Sequence, residues 1–416
     1  MKIGLLIIGD EILLGQVTDT NSTMVAKQLF TIGLQVNLKV TVGDTQEEIL
    51  RGLEYLTMSD SKVILMSGGL GPTKDDITKT ALAAYLNRRL VFSEEAKQHV
   101  QRILQRRNRI LDEIQLNQCY VPEFSKLLDN ELGTACGIMV NRNEQTFVSM
   151  PGVPYELEYI MTHHVLPELE KQVGQSQLVH KSLLVGGLGE TQIARRIEPL
   201  LQDMPSYIRL AYLPSIGQVR LRLTTDLAVA PEARQLWEHY LSIISGELSG
   251  ETIGFEDESL ESAIGNLLVL QGKSISTAES FTAGLISSRI ASIPGASRYF
   301  RGGITAYHPE IKIKELGIDP ERLMQEGVVS EYCVGSMVRG ACRLFGTDVA
   351  IASTGAAGPT AEDPQLPVGT VWLACGNEEK VICRKFQFSS DRKRNTEAGV
   401  VYALLLLWEY LRNHSE

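Results

Sequence analysis

The strongest constraint on the fold is a repeated alternation: near-unbroken apolar runs of strand length, each followed by a capped helical pattern. The first run, Lys2-Ile-Gly-Leu-Leu-Ile-Ile8, is apolar almost throughout, as suits a strand covered on both faces. After Gly9-Asp10-Glu11, Asn21-Ser22 caps an apolar-periodic helix that Gly33 stops. Gln35 to Val40 is extended again, and a second helix starts near Thr45-Gln46-Glu47. Lys62 to Met66 gives another buried strand, followed by a glycine loop and a helix to Tyr85. This order predicts a doubly wound parallel α/β sheet with its ligand at the carboxyl ends of the strands.

The same pattern returns late in the chain. Lys273 to Ser276, Arg301 to Tyr307 and Val349 to Ser353 read as strands of a second α/β domain. Gly369 to Cys375 and Lys380 to Phe388 read as a hairpin, with a closing helix from Arg392 to Tyr410. Between the two lies a smaller α+β segment, with strands at Ser182 to Val185, Arg209 to Leu213 and Val219 to Thr224, and helices at Glu190 to Leu200 and Pro231 to Ser245. The expected domains are therefore 1–170, 176–250 and 256–416, with Lys171 to Gln177 as a polar linker. A chain of 416 residues is long enough for such a division.

Composition narrows the partners. A net charge of −10 without a long basic run argues against a surface that tracks a phosphate backbone, so small molecules are the expected ligands. Between Ser176 and Gly250 there are seven Lys and Arg against seven Asp and Glu, so a Gly186-Gly-Leu-Gly189 loop there lacks the charge of a nucleic-acid clamp. The charged segment from Arg88 to Val121, with Arg102, Arg106, Arg107 and Arg109, reads as one long helix with a solvated face. Apolar stretches such as Val400 to Trp408 fall short of a membrane span, and the chain opens on a strand, so a cytoplasmic protein is expected. Cys119, Cys136, Cys333, Cys342, Cys375 and Cys383 show no Cys-x-x-Cys spacing and are expected as free thiols.

Two stretches carry chemistry. In the first domain, Gly68, Gly69 and Gly71 let the backbone approach a phosphate closely, and Asp10, Asp44, Asp75 and Asp76 fall at strand ends. Hard cations bridging a pyrophosphate need such oxygen ligands, although a turn with helix-start acids explains the same residues. In the last domain, Ser280 stands at a strand-to-helix junction. There its hydroxyl can act as a nucleophile and free N–H groups at the helix start can receive an oxyanion, or it can simply cap the helix. No histidine is placed to serve it, because His308 precedes Pro309 and is expected at the surface. A Ser-Lys pair assisted by tyrosine, Ser280 with Lys312 and Tyr307, is the coherent alternative if burial makes the lysine a base. Thr354-Gly-Ala-Ala-Gly-Pro359 is a turn whose N–H groups can face a ligand.

These motifs resemble one family. Gly9-Asp-Glu-Ile-Leu-Leu-Gly15 with Asp19-Thr-Asn-Ser22, the Gly68 to Thr78 loop and Pro151-Gly-Val-Pro154 look like the molybdopterin-binding-like domain of the competence/damage-inducible CinA family. The middle segment resembles its KH-type domain, expected as a spacer or dimerisation module. Thr277-Ala-Glu-Ser280, Gly302-Gly-x-x-x-Tyr307 with Lys312, Val329-Ser330, the Thr354 turn, Pro367-Val-Gly-Thr-Val-Trp372 and Asp391-Arg392 resemble its C-terminal nicotinamide-nucleotide amidase domain.

The resemblance implies deamidation of nicotinamide mononucleotide without a cofactor. Ser280 would be the nucleophile, Lys312 the base, Tyr307 a proton-transfer or positioning group, and Thr354 part of the site. Gly284, Gly355, Ala356, Gly358 and either Arg392 or Arg394 would bind substrate. For the first domain it implies ADP-ribose hydrolysis with a divalent metal (Mg, Mn or Co) on Asp44, Asp75 and Asp76. Gly68, Gly69, Gly71, Thr73, Asp10 and Asn21 would contact that substrate. A homodimer is expected. The competing expectation is a non-catalytic nucleotide- or pterin-binding protein recruited in competence and recombination. Three positions depart from the family pattern: Cys136 stands for Pro, Phe281 for Cys and Ala283 for Gly.

Overall fold

The computed structural model describes residues 1–73, 76–173, 178–359 and 366–414 and divides into two compact units, Met1–Val179 and His180–Glu416. The expected Asp75 lies outside the described residues.

In the first unit a six-stranded sheet runs in the order Val36–Val42, Ile3–Ile8, Val63–Ser67, Gln145–Met150, Gly137–Arg142, Lys126–Leu128. The first four strands are parallel and the last two antiparallel. Alternate residues of the first strand feed two separate cores: Ile3, Leu5 and Ile7 on one face, Leu6 and Ile8 on the other. This two-sided burial explains the unbroken apolar run and makes the sheet doubly wound. The long helix expected from Arg88 is divided instead. Leu90–Phe92 pairs with Tyr120–Pro122, and helix Glu94–Arg106 and the short helix Glu113–Leu116 lie between them. Asn108 breaks the helical path with a φ of 53°. Lys171 belongs to helix Leu166–Val173, so the expected linker begins later than its composition implies.

In the second unit a four-stranded sheet, Arg209–Ser215, Gln218–Asp226, Leu178–Gly186, Thr252–Phe255, carries the middle domain. Its last strand pairs antiparallel with Leu178–Gly186, so this sheet runs beyond Gly250 to Phe255. A five-stranded sheet follows in the order Phe300–Thr305, Ile275–Glu279, Val349–Gly355, Thr370–Gly376, Val381–Gln387. The first three strands are parallel, with Glu279 level with Thr305 on one side and Ser353 on the other. The last two form the expected hairpin, antiparallel to each other. Helix Arg392–Asn413 covers one face and helix Glu331–Phe345 the other, again giving two cores. No helix of the described residues is long and apolar enough to cross a membrane, and all six cysteines are free thiols.

Phe281 is buried in the core beneath Arg392–Asn413, and a Cβ on Gly399 would collide with its ring. Gly399→Ala should therefore cost about 1–3 kcal/mol, the usual penalty for overpacking. Phe281→Cys should relieve most of that loss, and a double-mutant cycle of denaturation midpoints reads the coupling. Additive losses would show that the two side chains do not meet.

Candidate active site at the strand ends

Three adjacent parallel strands end together, and their next residues form the C-terminal site. Ile275–Glu279 leads into Ser280, Phe300–Thr305 into Ala306 and Tyr307, and Val349–Gly355 ends at Thr354 and Gly355. His308 then caps helix Pro309–Leu316 and is itself exposed, as expected. The first turn of that helix returns Lys312 to the strand ends, where it is only 1 % exposed. Its Nζ lies 3.0 Å from Ser280 Oγ, 2.7 Å from the Ala306 carbonyl and 3.2 Å from the Tyr307 carbonyl. A cavity of about 760 Å³ opens above the pair, lined among others by Phe281, Tyr307, Val328, Thr354, Ala356 and Arg392.

The remaining expected residues take distinct places. Gly355 and Ala356 line the cavity. Thr354 donates its hydroxyl to the Val328 carbonyl at 2.7 Å, tying two lining residues together. The Tyr307 hydroxyl is engaged by Arg392 Nη2 at 2.7 Å, while Arg392 Nη1 donates to the Gly358 carbonyl at 3.0 Å. Arg392 therefore stands on the cavity wall. Arg394 does not line it, and its backbone N–H bonds the capping Asp391. Gly284 does not line it either. The N–H groups of Gly284, Ile286 and Ser287 all go to the Glu279 carboxylate, so the start of helix Leu285–Ala291 is closed to an oxyanion. The Phe281 N–H remains open beside Ser280, without a partner among the described residues.

The N-terminal unit has a second cavity, of about 450 Å³, at the ends of its parallel strands. Gly68, Gly69, Gly71, Asp44 and Asp76 line it, and so do Glu11 and Glu156, which the sequence reading did not single out. Glu156 was legible only as the acid two residues beyond the Pro151 motif. It accepts from Asn130 Nδ2 at 2.7 Å, which also holds the Ala135 carbonyl. Gly68 sits at φ 114°, and a Cβ there would strike the Ile8 carbonyl, so only glycine serves. The N–H groups of Gly69, Leu70 and Gly71 have no partner among the described residues.

Asp10, Asn21 and Thr73 support this cavity rather than line it. Asp10 and Asp44 each accept the other's backbone N–H, Asn21 Nδ2 bridges Ser67 and the Gly152 carbonyl, and Thr73 donates twice to Asp76. The arginines read as a solvated face are exposed, and three of the four also contact the adjoining loop: Arg102 bonds Asp129, Arg106 pairs with Glu131 and Arg107 bonds the Leu132 carbonyl. Burial pushes the Cys136 thiol up to about 12, and Cys136 does not line the cavity.

Comparison with known proteins places this geometry. Residues 4–171 match a probable molybdopterin binding domain, 180–254 the damage-inducible protein CinA KH domain and 257–411 the CinA C-terminal domain. The chain is 38% identical to a CinA-like protein of Flavobacterium psychrophilum over 100% of both chains. It is 34% identical to one of Cytophaga hutchinsonii over 97% of each. It is also 33% identical to a putative competence-damage inducible protein of Caldicellulosiruptor saccharolyticus over 100% of both. The chain belongs to the CinA family.

Against the family pattern, the bulk of Phe281 goes into the core, and Ala283 occupies a left-handed backbone at φ 53°, where glycine is the unstrained residue. Burial holds the Asp44 carboxyl above its usual range, and Glu11, Asp10 and Asp76 add to the rise against a lowering bond from the Asp10 N–H. A carboxyl raised in the folded state penalises folding as pH climbs past its unfolded value. Asp44→Asn should therefore raise the melting temperature slightly at neutral pH, and the gain should vanish in strong acid. Thermal melts across pH decide this. A gain independent of pH would assign the effect to packing.

Proposed function

We propose that the C-terminal domain is an amidase that converts nicotinamide mononucleotide to the acid and ammonia by a Ser-Lys mechanism. The observation that carries this reading is the buried Lys312 Nζ at 3.0 Å from Ser280 Oγ beneath a cavity that Arg392 lines. A neutral amine has two N–H donors and one lone pair. In its neutral form Lys312 would keep two N–H donors for the Ala306 and Tyr307 carbonyls and offer a lone pair to the Ser280 hydroxyl proton.

In the proposed reaction Lys312 takes the hydroxyl proton as Ser280 Oγ bonds to the amide carbon. The N–H of Phe281 receives the developing oxyanion. Lys312 then returns the proton to the departing nitrogen, the C–N bond breaks, and ammonia leaves an ester on Ser280. Water, deprotonated by the same lysine, cleaves that ester to the acid. Arg392 grips the substrate phosphate, and Tyr307, hydrogen-bonded to it, fixes its orientation.

The N-terminal cavity favours a second activity, hydrolysis of the ADP-ribose pyrophosphate. Open N–H groups at Gly69 to Gly71 suit phosphate oxygens, and Asp44 and Asp76 face the same space. Among the described residues no three His, Cys, Asp or Glu side chains form a metal-holding group. Two carboxylates with ligand oxygens and water nonetheless suit a magnesium-like ion, which would neutralise the pyrophosphate. A non-catalytic nucleotide- or pterin-binding role in competence and recombination is the alternative that ammonia release excludes.

Ser280→Ala should abolish ammonia release from nicotinamide mononucleotide while leaving the melting temperature near wild type. Lys312→Arg, which keeps the charge but cannot serve as a base, should do the same. Near-normal turnover in either would remove that residue from the chemistry. A chelator or Asp76→Ala should stop ADP-ribose hydrolysis and leave ammonia release unchanged. Loss of both activities in folded protein would replace the serine mechanism by a metal-activated water.

A further inference from the structure

Glu279 is a fully buried acid that takes no part in the steps above. Five donors converge on its carboxylate. Oε2 accepts from the N–H groups of Gly284 at 2.9 Å and Ile286 at 3.0 Å and from the Thr282 hydroxyl at 2.7 Å. Oε1 accepts from the Ser287 N–H at 2.8 Å and its hydroxyl at 2.7 Å. Three of the five are amides, which can only donate, and the two Glu279 oxygens accept them all. Its charge is met by the positive end of helix Leu285–Ala291 rather than by an ion pair.

The polarity spreads outward from that charge. With the Thr282 and Ser287 hydroxyls spent on Glu279, the Ser353 hydroxyl must donate to Thr282 and the Thr277 hydroxyl to Ser287, each at 2.6 Å. The Ser353 carbonyl accepts the Ser280 N–H at 2.9 Å, and the Ser280 carbonyl accepts the Ala283 N–H at 3.3 Å. The turn that carries Ser280 is thus fastened at both ends by groups arranged around one carboxylate. Its strained residue, Ala283 at φ 53°, lies inside the fastened span.

We propose that Glu279 is a positioning residue for Ser280: its carboxylate clamps residues 280–287 and so holds the Ser280 hydroxyl within reach of Lys312. This rests on the reading of Ser280 as nucleophile. Glu279 does not line the cavity, so it acts on the turn and not on the substrate. A neutral glutamine would set its own N–H₂ against amides that can only donate, and the turn would open. A nucleophile misplaced by an ångström loses about 10²-fold in rate.

The test compares Glu279→Gln, Thr282→Val and Thr282→Ser in the full chain. The first should lower kcat about 10²-fold at unchanged KM, the second should lower it less, and the third, which keeps the hydroxyl, should restore it. Labelling of Ser280 by a serine-directed fluorophosphonate should fall in the same order. Crystal structures of the two impaired variants should show Ser280 Oγ moved away from Lys312. A lower melting temperature with kcat intact and Ser280 in place would make Glu279 purely structural and overturn the proposal. If Glu279→Gln fails to fold, the Thr282 pair decides. Wild-type protein that neither labels nor releases ammonia would sink the amidase reading instead, and the Ser280 to Lys312 distance in the variants would still decide the clamp.

Discussion

An amino group buried as deeply as that of Lys312 must be given partners by the fold, because an uncompensated buried charge costs several kcal/mol or more. Those partners come from two strand ends. The Ala306 and Tyr307 carbonyls follow one strand and Ser280 follows its neighbour, so the lysine is satisfied only while the two strands keep their register. Successive side chains point to opposite faces of a sheet, and a slip of one residue would send Ser280 to the wrong side. The cap by His308 and the helix start at Pro309 then determine where Lys312 arrives. Burial, register and helix phase are in this way aspects of a single requirement.

The two cavities share a position at the carboxyl ends of parallel strands but differ in their balance of charge. The first is lined by Lys312, Arg392 and one acid, Glu326, the second by Glu11, Asp44, Asp76 and Glu156. The two cations of the first suit the anionic mononucleotide proposed for it. A pyrophosphate would be repelled from the second unless a cation came with it, which is why the metal expectation belongs to that domain alone. The same domain secures its ligand-side loop by cations placed behind it. Arg102, Arg106 and Arg107 reach back from helix Glu94–Arg106 and its C-terminal cap to the segment at Asp129 to Leu132.

What was legible in the sequence is what depends on local periodicity and on residue type. The buried strands and the helix start at Thr45 are of this kind, whereas the meeting of Ser280, Tyr307, Lys312 and Thr354 was implied by the family resemblance. What was missed depends on direction and on partners distant along the chain. Nothing local distinguishes Arg392 from Arg394, since their places relative to the cavity follow from helical phase after the Asp391 cap. Strand Thr252–Phe255 is short, and its neighbour in the sheet lies some seventy residues earlier, so it read as a boundary. The N–H groups after Ser280 looked free because an acid one residue before the nucleophile does not announce that it will turn back and cap the helix.

The departures at Phe281 and Ala283 make the same argument at the scale of one turn. Read along the sequence, a phenyl ring beside the nucleophile suggests a narrowed site. In the fold, that ring lies over Gly399 in the core beneath the closing helix, and the N–H of the same residue is left beside Ser280. Ala283 carries a left-handed backbone worth about 1–2 kcal/mol of strain, sustained because Glu279 binds the next residue's N–H and the Thr282 hydroxyl before it. One substitution is accommodated by a glycine more than a hundred residues away and the other by an acid four residues back. With both in place Ser280 Oγ still stands 3.0 Å from Lys312 Nζ, so side-chain size next to a nucleophile is a poor guide to the space in front of it.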